Sequence, residues 1–145
     1  AISRNVMEMS RLTGAVIAVI TGEGNSGGAL ALAVADRVLM LENAVYAILS
    51  PEGFASILWR DAGRHAEACD LMKLTAPDLL ALGVADDIIP EPEGGAHLSP
   101  EWTFRELDRA LSRHLAALLK ESGPGLVSSR YQKFRKMGGP PKEES

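Results

Sequence analysis

Glycines are the residues of this chain whose spacing points most directly to chemistry. An apolar, β-branched run at residues 15–21 predicts a buried strand, and a run of small apolar residues at 29–35 predicts a short helix. The glycines between the two runs are Gly22, Gly24, Gly27 and Gly28. Amides at the start of a helix have no intrahelical partner, and glycines leave room for a ligand beside them. The pattern therefore predicts a site for an oxygen atom that carries negative charge.

Three chemical interpretations of this turn are open at the level of the residues. Residues 22–27 match the dinucleotide-binding pattern G-x-G-x-x-G, and Glu42 ends the next apolar run as the acid of that pattern. Residues 25–28 resemble the nucleophile segment of trypsin-like proteases, for which the available histidines are His65, His97 and His114. In the third interpretation, backbone amides form an oxyanion hole. The non-chemical alternative is a turn that only packs the helix against the sheet.

A second candidate segment follows a later apolar run and consists of Ser50, Pro51, Glu52 and Gly53. Proline and glycine predict a loop at a strand end, where parallel α/β proteins usually bind ligands. We expect this loop to line the substrate cavity. On that placement, Gly53→Val is predicted to slow the reaction with little loss of stability.

Titratable side chains give weaker indications. His97 lies in a loop rich in proline and glycine, where it could serve as a general base or cap a backbone group. Asp86 and Asp87 are adjacent, so in a strand they would point to opposite faces and would not form a paired-carboxylate site. The sequence has no Cys/His cluster with zinc spacing, and no metal site is predicted.

The elements that carry these residues alternate between helix and strand, which predicts a parallel sheet with right-handed crossovers. Strands are predicted at residues 15–21, 36–41, 45–49 and 84–89. Helices are predicted at residues 2–12, 26–35, 64–74, 75–82 and 99–122, the last ended by Gly123 and Pro124, and a helical turn is predicted at residues 54–60. The basic stretch at residues 126–137 is interpreted as an exposed helix or a contact with an acidic partner.

Composition limits the class of protein. The 145 residues correspond to about one domain, and the 46% hydrophobic content can fill its core. The formal charge of −4 gives no reason to expect nucleic acid as a partner. The apolar runs are too short for a membrane span, and no signal peptide is visible. Cys69 is the only cysteine; it is interpreted as a small core residue in a reducing, cytoplasmic setting.

Four blocks of sequence agree in order and spacing with one known family. They read GEGNSGGALALAVADRV from Gly22, ILSPEGFASILWR from Ile48, LTAPDLLALGVADDIIPEPEGGAH from Leu74 and SSRYQKFRKMG from Ser128. Over residues 1–138 the chain resembles the C-terminal half of the alpha subunit of the bacterial acetyl-coenzyme A carboxylase carboxyltransferase. The dinucleotide interpretation does not account for the later blocks and becomes secondary.

The resemblance implies a crotonase-like α/β fold and a place in an ATP-dependent complex of fatty-acid biosynthesis. The implied reaction moves a carboxyl group from carboxybiotin, held on a separate carrier protein, to acetyl-CoA and gives malonyl-CoA. The implied oxyanion donors are the amides of Gly28 and Ala29, with Gly27 shaping the approach. Gly24 and residues 50–53 are expected to bind substrate. The resemblance implies neither a side-chain base nor a metal in this chain.

The resemblance also implies partners. These are the carboxyltransferase beta subunit, the biotin carboxyl carrier protein and a second alpha subunit in an alpha2-beta2 assembly. The chain begins with alanine inside a helical pattern, which predicts a piece of a longer polypeptide that is inactive alone. We expect a crotonase-like part at residues 1–98, a helical extension at 99–138 and a disordered tail at 139–145. The alternative class is a non-catalytic assembly module, in which the helix at 99–122 docks a partner and the glycine turn only packs.

Overall fold

The structure is a computed structural model that describes residues 1–138. Its strands are β1 (Ile17–Ile20), β2 (Glu23–Asn25), β3 (Arg37–Leu41), β4 (Val45–Ala47) and β5 (Asp87–Ile89). Its α-helices are α1 (Ile2–Ser10), α2 (Ser26–Leu32), α3 (Pro51–Trp59), α4 (His65–Met72), α5 (Ala76–Ala81), α6 (Pro100–Leu118) and α7 (Gly123–Lys136). The predicted tail at residues 139–145 lies outside the described residues.

A three-stranded sheet of order β1-β3-β5 forms the centre of the fold. All its pairs are parallel, with Ile17 opposite Arg37 and Leu39 opposite Asp87. The predicted strands at 15–21, 36–41 and 84–89 are therefore confirmed, each shorter than predicted. The predicted parallel pairing of the first two is confirmed as well. β3 is the central strand, and its residues 38–41 are buried, which explains their continuous apolar sequence.

The prediction that residues 45–49 join this sheet is wrong. β4 pairs instead with β2 in a separate parallel sheet of two strands, with Gly24 opposite Tyr46. A tight turn after β3, closed by a bond from the Ala44 amide to the Leu41 carbonyl, carries the chain out of the first sheet. The glycine turn thus contains a short strand of its own.

The core lies between the three-stranded sheet and the helices around it. Leu39, Met40 and Ile89 are fully buried, and Leu79 of α5 and Ala110 of α6 belong to the same cluster. The predicted boundary between residues 98 and 99 coincides with the start of α6 and stays a prediction. Since α6 shares the core with the sheet, it does not form a separate core.

The C-terminal helices differ from their predicted bounds. α6 ends at Leu118, and Gly123 and Pro124 begin α7 rather than end α6. Ser122 caps α7, because its hydroxyl accepts a hydrogen bond from the Gly125 amide at 3.2 Å. Proline is well suited to the first turn, where its missing N–H costs nothing.

The predicted burial of Cys69 is also wrong. Cys69 is exposed on α4, and its neighbour Ala68 takes the buried position of that helix. None of the helices within residues 1–138 combines the length and apolar character needed to cross a bilayer.

Candidate functional site

The glycine turn changes direction sharply between β2 and α2. Asn25 is extended at φ −122°, ψ 149°, and Ser26 follows with a φ of +63°. A left-handed conformation is uncommon for a residue with a side chain and marks a locally strained backbone. The turn therefore depends on the structure around it.

The first turn of α2 presents backbone amides to the site. α2 begins at Ser26, and its N-cap Asn25 makes no side-chain cap hydrogen bond. Gly27 and Gly28 therefore lie in the first turn, where amides have no carbonyl of their own helix one turn earlier. These two amides keep donor capacity for another acceptor.

The space around the glycines differs from one to the next. No atom lies within 4 Å of a Cβ placed on Gly28, whereas a Cβ on Gly27 would lie 3.2 Å from Ile2 Cδ1. A Cβ on Gly24 would lie 3.1 Å from Ile20 Cγ2 and 3.4 Å from Tyr46 Cδ2. A side chain at Gly24 or Gly27 would thus crowd a neighbouring side chain, while Gly28 leaves open space beside its amide.

A cavity of about 640 Å³ runs along β1 to the glycine turn. Gly24 and Ala29, two of the predicted site residues, both line it, together with Gly22 and Asn25. Gly27 and Gly28 are not among its lining residues. The predicted roles of these glycines and of Ala29 in binding or catalysis stay predictions.

The predicted loop at residues 50–53 is the beginning of α3. Ser50 is the N-cap, and its hydroxyl accepts a hydrogen bond from the Gly53 amide at 3.2 Å. The pKa of the exposed Glu52 carboxyl lies below its ordinary value. Hydrogen bonds from the Glu52 backbone amide and from the Ser50 hydroxyl lower this pKa most, slight desolvation opposes the shift, and the charge of His65 lowers the pKa further. The prediction of a loop is wrong because Ser-Pro-Glu is a helix start, with Ser50 at the N-cap and Pro51 at the first helical position.

These four residues do not line the cavity at the glycine turn. A separate apolar cavity of about 430 Å³ lies next to α3, where Ile48 and Phe54 line it but residues 50–53 do not. The expectation that residues 50–53 bind substrate stays a prediction.

His97 lies at the carboxyl ends of the strands of the larger sheet. With Thr21, Asn43 and Glu91, it lines a polar cavity of about 610 Å³. Thr21 also lines the cavity at the glycine turn, so the two cavities are neighbours. The possible role of His97 as a base stays a prediction.

Asp86 and Asp87 have different partners, as their adjacency in sequence predicts. Asp86 accepts from the Val38 amide at 2.7 Å and pairs with Lys133. Asp87 accepts from His114 Nε2 at 2.8 Å and pairs with Arg113. Burial lowers the pKa of the Lys133 ammonium below its ordinary value, although Asp86 opposes this shift.

Sequence reasoning missed a buried ion pair between Asp36 and Arg130. Their side chains are 2% and 1% exposed, and two hydrogen bonds of 3.0 and 2.9 Å join them. The interpretation of the whole stretch 126–137 as exposed is therefore wrong for Arg130. A signal was present in the sequence, since Asp36 directly follows an uninterrupted apolar run, where an unpaired charge would be costly.

The fold resembles that of proteins with crotonase-like architecture. A malonate decarboxylase hetero-tetramer from Pseudomonas superposes with a TM-score of 0.70 at 16% identity, over 89% of this chain and 51% of that chain. A transcarboxylase 12S chain gives 0.58 at 23% identity, over 79% and 23%. An enoyl-CoA hydratase from Mycobacterium avium gives 0.51 at 22% identity, over 96% and 65%. The chain thus has a crotonase-like fold, as predicted.

A narrower comparison identifies the family. The model of the acetyl co-enzyme A carboxylase carboxyltransferase-like family matches residues 1–138, and the chain belongs to this family. It is 58% identical over 137 residues to the acetyl-coenzyme A carboxylase carboxyl transferase subunit alpha of Geobacter metallireducens, covering 94% of this chain and 43% of that protein. The corresponding subunit of Geobacillus kaustophilus is 52% identical, with 95% and 42% covered. The chain thus spans less than half the length of these relatives.

Proposed function

We propose that this chain is part of an alpha subunit that transfers a carboxyl group from carboxybiotin to acetyl-CoA, giving malonyl-CoA for fatty-acid biosynthesis. Membership of the carboxyltransferase family supports the reaction class. The observation that carries the proposal is the glycine turn before α2, where the first-turn amides of Gly27 and Gly28 have no carbonyl one turn earlier and the left-handed Ser26 sets the change of direction. A donor of carboxyl groups develops negative charge on an oxygen as the carboxyl leaves, and such amides can stabilise it.

In this proposal the amides of Gly28 and Ala29 donate hydrogen bonds to the ureido oxygen of biotin. The residues present fit that group, because the space beside Gly28 is open and Ala29 lines the cavity at the turn. Biotin, carried on a separate protein, would supply the carboxyl group. Each preorganised donor is worth about 3–4 kcal/mol in comparable oxyanion holes. Gly27 keeps the approach free of a side chain, and no side chain of this chain is assigned as a base.

We further propose that the site is completed by partners. These are a carboxyltransferase beta subunit, a biotin carboxyl carrier protein and a second alpha subunit, working in the cytoplasm. Large apolar side chains on the surface support a docking role, since Leu32 is 71% and Ile57 73% exposed. The same observation favours the alternative function, a non-catalytic assembly module.

Reconstitution separates the two functions. Full-length alpha subunit containing this chain is combined with beta subunit, biotinylated carrier protein and acetyl-CoA, and malonyl-CoA is measured. We expect turnover that depends on the alpha subunit and is lost in Gly28→Val. Turnover that persists unchanged in Gly28→Val, with the complex intact by size-exclusion chromatography, would instead assign the chain an assembly role.

A further inference from the structure

Arg130 is the most heavily bonded side chain of α7. Besides its two bonds to the Asp36 carboxylate, its guanidinium donates to backbone carbonyls of Met9, Leu12 and Gly14 at 3.0, 2.8 and 3.2 Å. A planar guanidinium fixes several acceptors in one geometry, which a lysine ammonium does not. The block SSRYQKFRKMG therefore contains an anchor between distant segments.

The acceptors of Arg130 belong to two places in the chain. The carbonyls of residues 9–14 lie at the end of α1 and in the link to β1. Asp36 lies between α2 and β3, and its carboxylate also accepts from the Val16 amide at 2.7 Å. One guanidinium thus fastens the end of α1 to the segment that follows α2.

The other end of α1 lies against the glycine turn. Ile2 Cδ1 is 3.2 Å from the position of a Cβ on Gly27, and α1 packs along α2. None of the nine residues of α1, all of them described, is buried, and Ala1 makes no side-chain cap bond. α1 is therefore held by its packing along α2 and, at its C-terminal end, by the carbonyls that Arg130 binds.

We propose that Arg130 is a positioning residue for the glycine turn. By fixing the end of α1 beside Asp36, it holds Ile2 against Gly27 and keeps the amides of Gly28 and Ala29 in place. The catalytic consequence rests on the proposed function. The structural part of the proposal, that the stability of α2 depends on Arg130 and Ile2, is independent of the proposed function.

The test uses the full-length alpha subunit in complex with its beta subunit. Arg130→Lys keeps the positive charge but loses the planar guanidinium. Ile2→Ala removes the contact with Gly27 but leaves the Asp36–Arg130 ion pair intact. Arg113→Lys is the matched control, because it alters an exposed arginine–carboxylate pair elsewhere. Hydrogen exchange is measured by mass spectrometry for the amides of residues 30–32 in α2 and of its C-cap residue Ala33. We expect exchange about tenfold faster in Arg130→Lys and in Ile2→Ala, and unchanged in Arg113→Lys.

The values of kcat and KM distinguish misplaced amide donors from a loss of global stability. Misplaced donors weaken only the transition state, so kcat should fall about tenfold while KM for acetyl-CoA stays constant. If Arg130→Lys does not fold, Ile2→Ala decides, since Ile2 is half-exposed and its truncation leaves the core intact. Wild-type exchange in Ile2→Ala would overturn the proposal, and wild-type kcat with accelerated exchange would overturn its catalytic part. A wild-type complex without malonyl-CoA formation would refute the proposed function alone, because exchange still tests the anchor.

Discussion

Gly28 is the residue at which the proposed chemistry can be tested with least disturbance of the fold. A side chain at this position meets open space, so Gly28→Val is expected to leave the melting temperature unchanged. The valine methyl groups would occupy the place of the ureido oxygen. Losing one oxyanion donor costs about 10²–10³ in rate, and malonyl-CoA formation by the reconstituted enzyme should fall by at least that factor.

Ser26→Ala is the contrasting variant. The structure places Asn25 at the N-cap of α2, so the Ser26 hydroxyl is not the cap of this helix. Its hydroxyl has no part in the proposed reaction, and the variant should retain nearly full turnover. An inactive Ser26→Ala enzyme beside an active Gly28→Val enzyme would instead indicate a nucleophilic serine.

Asp87 provides a prediction about pH. Burial raises the pKa of its carboxyl, but hydrogen bonds from His114, the Ile88 amide and Arg113 outweigh burial and lower the pKa below its ordinary value. Such a carboxyl stabilises the fold above its unfolded pKa, and the contribution is lost as pH falls through the folded pKa. Asp87→Asn should therefore be less stable than wild type by about 1 kcal/mol at about pH 5. The difference should shrink towards about pH 3.

Urea unfolding at a series of pH values measures this difference. Asp108→Asn, which alters an exposed carboxylate on α6, serves as the control. The same pH dependence in Asp108→Asn would mean that the effect does not come from the Asp87 contacts.

At the scale of elements, the start of α3 changes the expectation for Gly53. A Cβ at this position would lie 3.3 Å from Leu49 Cδ1 and 3.4 Å from the Ser50 hydroxyl. We now expect Gly53→Val to lose about 1–2 kcal/mol of stability, because it crowds the N-cap bond of the helix. Gly53→Ala should lose less. An unchanged free energy of unfolding in Gly53→Val would contradict this packing argument.

The strands could be predicted from sequence where burial dictates composition. The residues of β3 are buried on both faces, so their apolar run is unambiguous. β2 could not be predicted, because its three residues, Glu-Gly-Asn, carry no apolar pattern and become a strand only by pairing with β4. Start and stop signals were equally ambiguous at Pro51 and Pro124, since proline both ends a helix and suits the first turn of the next.

At the scale of the whole molecule, the fold and family followed from four sequence blocks, whereas the long-range contacts did not. Asp36 and Arg130 are 94 positions apart, and the sequence around either residue does not predict that the other is its partner. By contrast, the glycine pattern did predict that open backbone amides would form a site at this turn. The sharp change of direction at Ser26 was not predictable, because its left-handed conformation depends on the structure around it.

A mutant cycle tests how much of the fold depends on this pair. Arg130→Met leaves a buried carboxylate unpaired and should cost about 3–5 kcal/mol in the free energy of unfolding. Adding Asp36→Asn removes the charge, and the double variant should recover part of that loss. A double variant no more stable than Arg130→Met would mean that Arg130 acts through its backbone acceptors alone.

The Asp36–Arg130 pair also sets an order of events during synthesis of the chain. A ribosome makes α2, Asp36 and β3 well before it makes α7, so the carboxylate is translated 94 residues ahead of its cation. The central sheet can begin to pair in that interval, but Asp36 must stay hydrated until Arg130 emerges. α1 therefore receives its anchor late, only after α7 has been made.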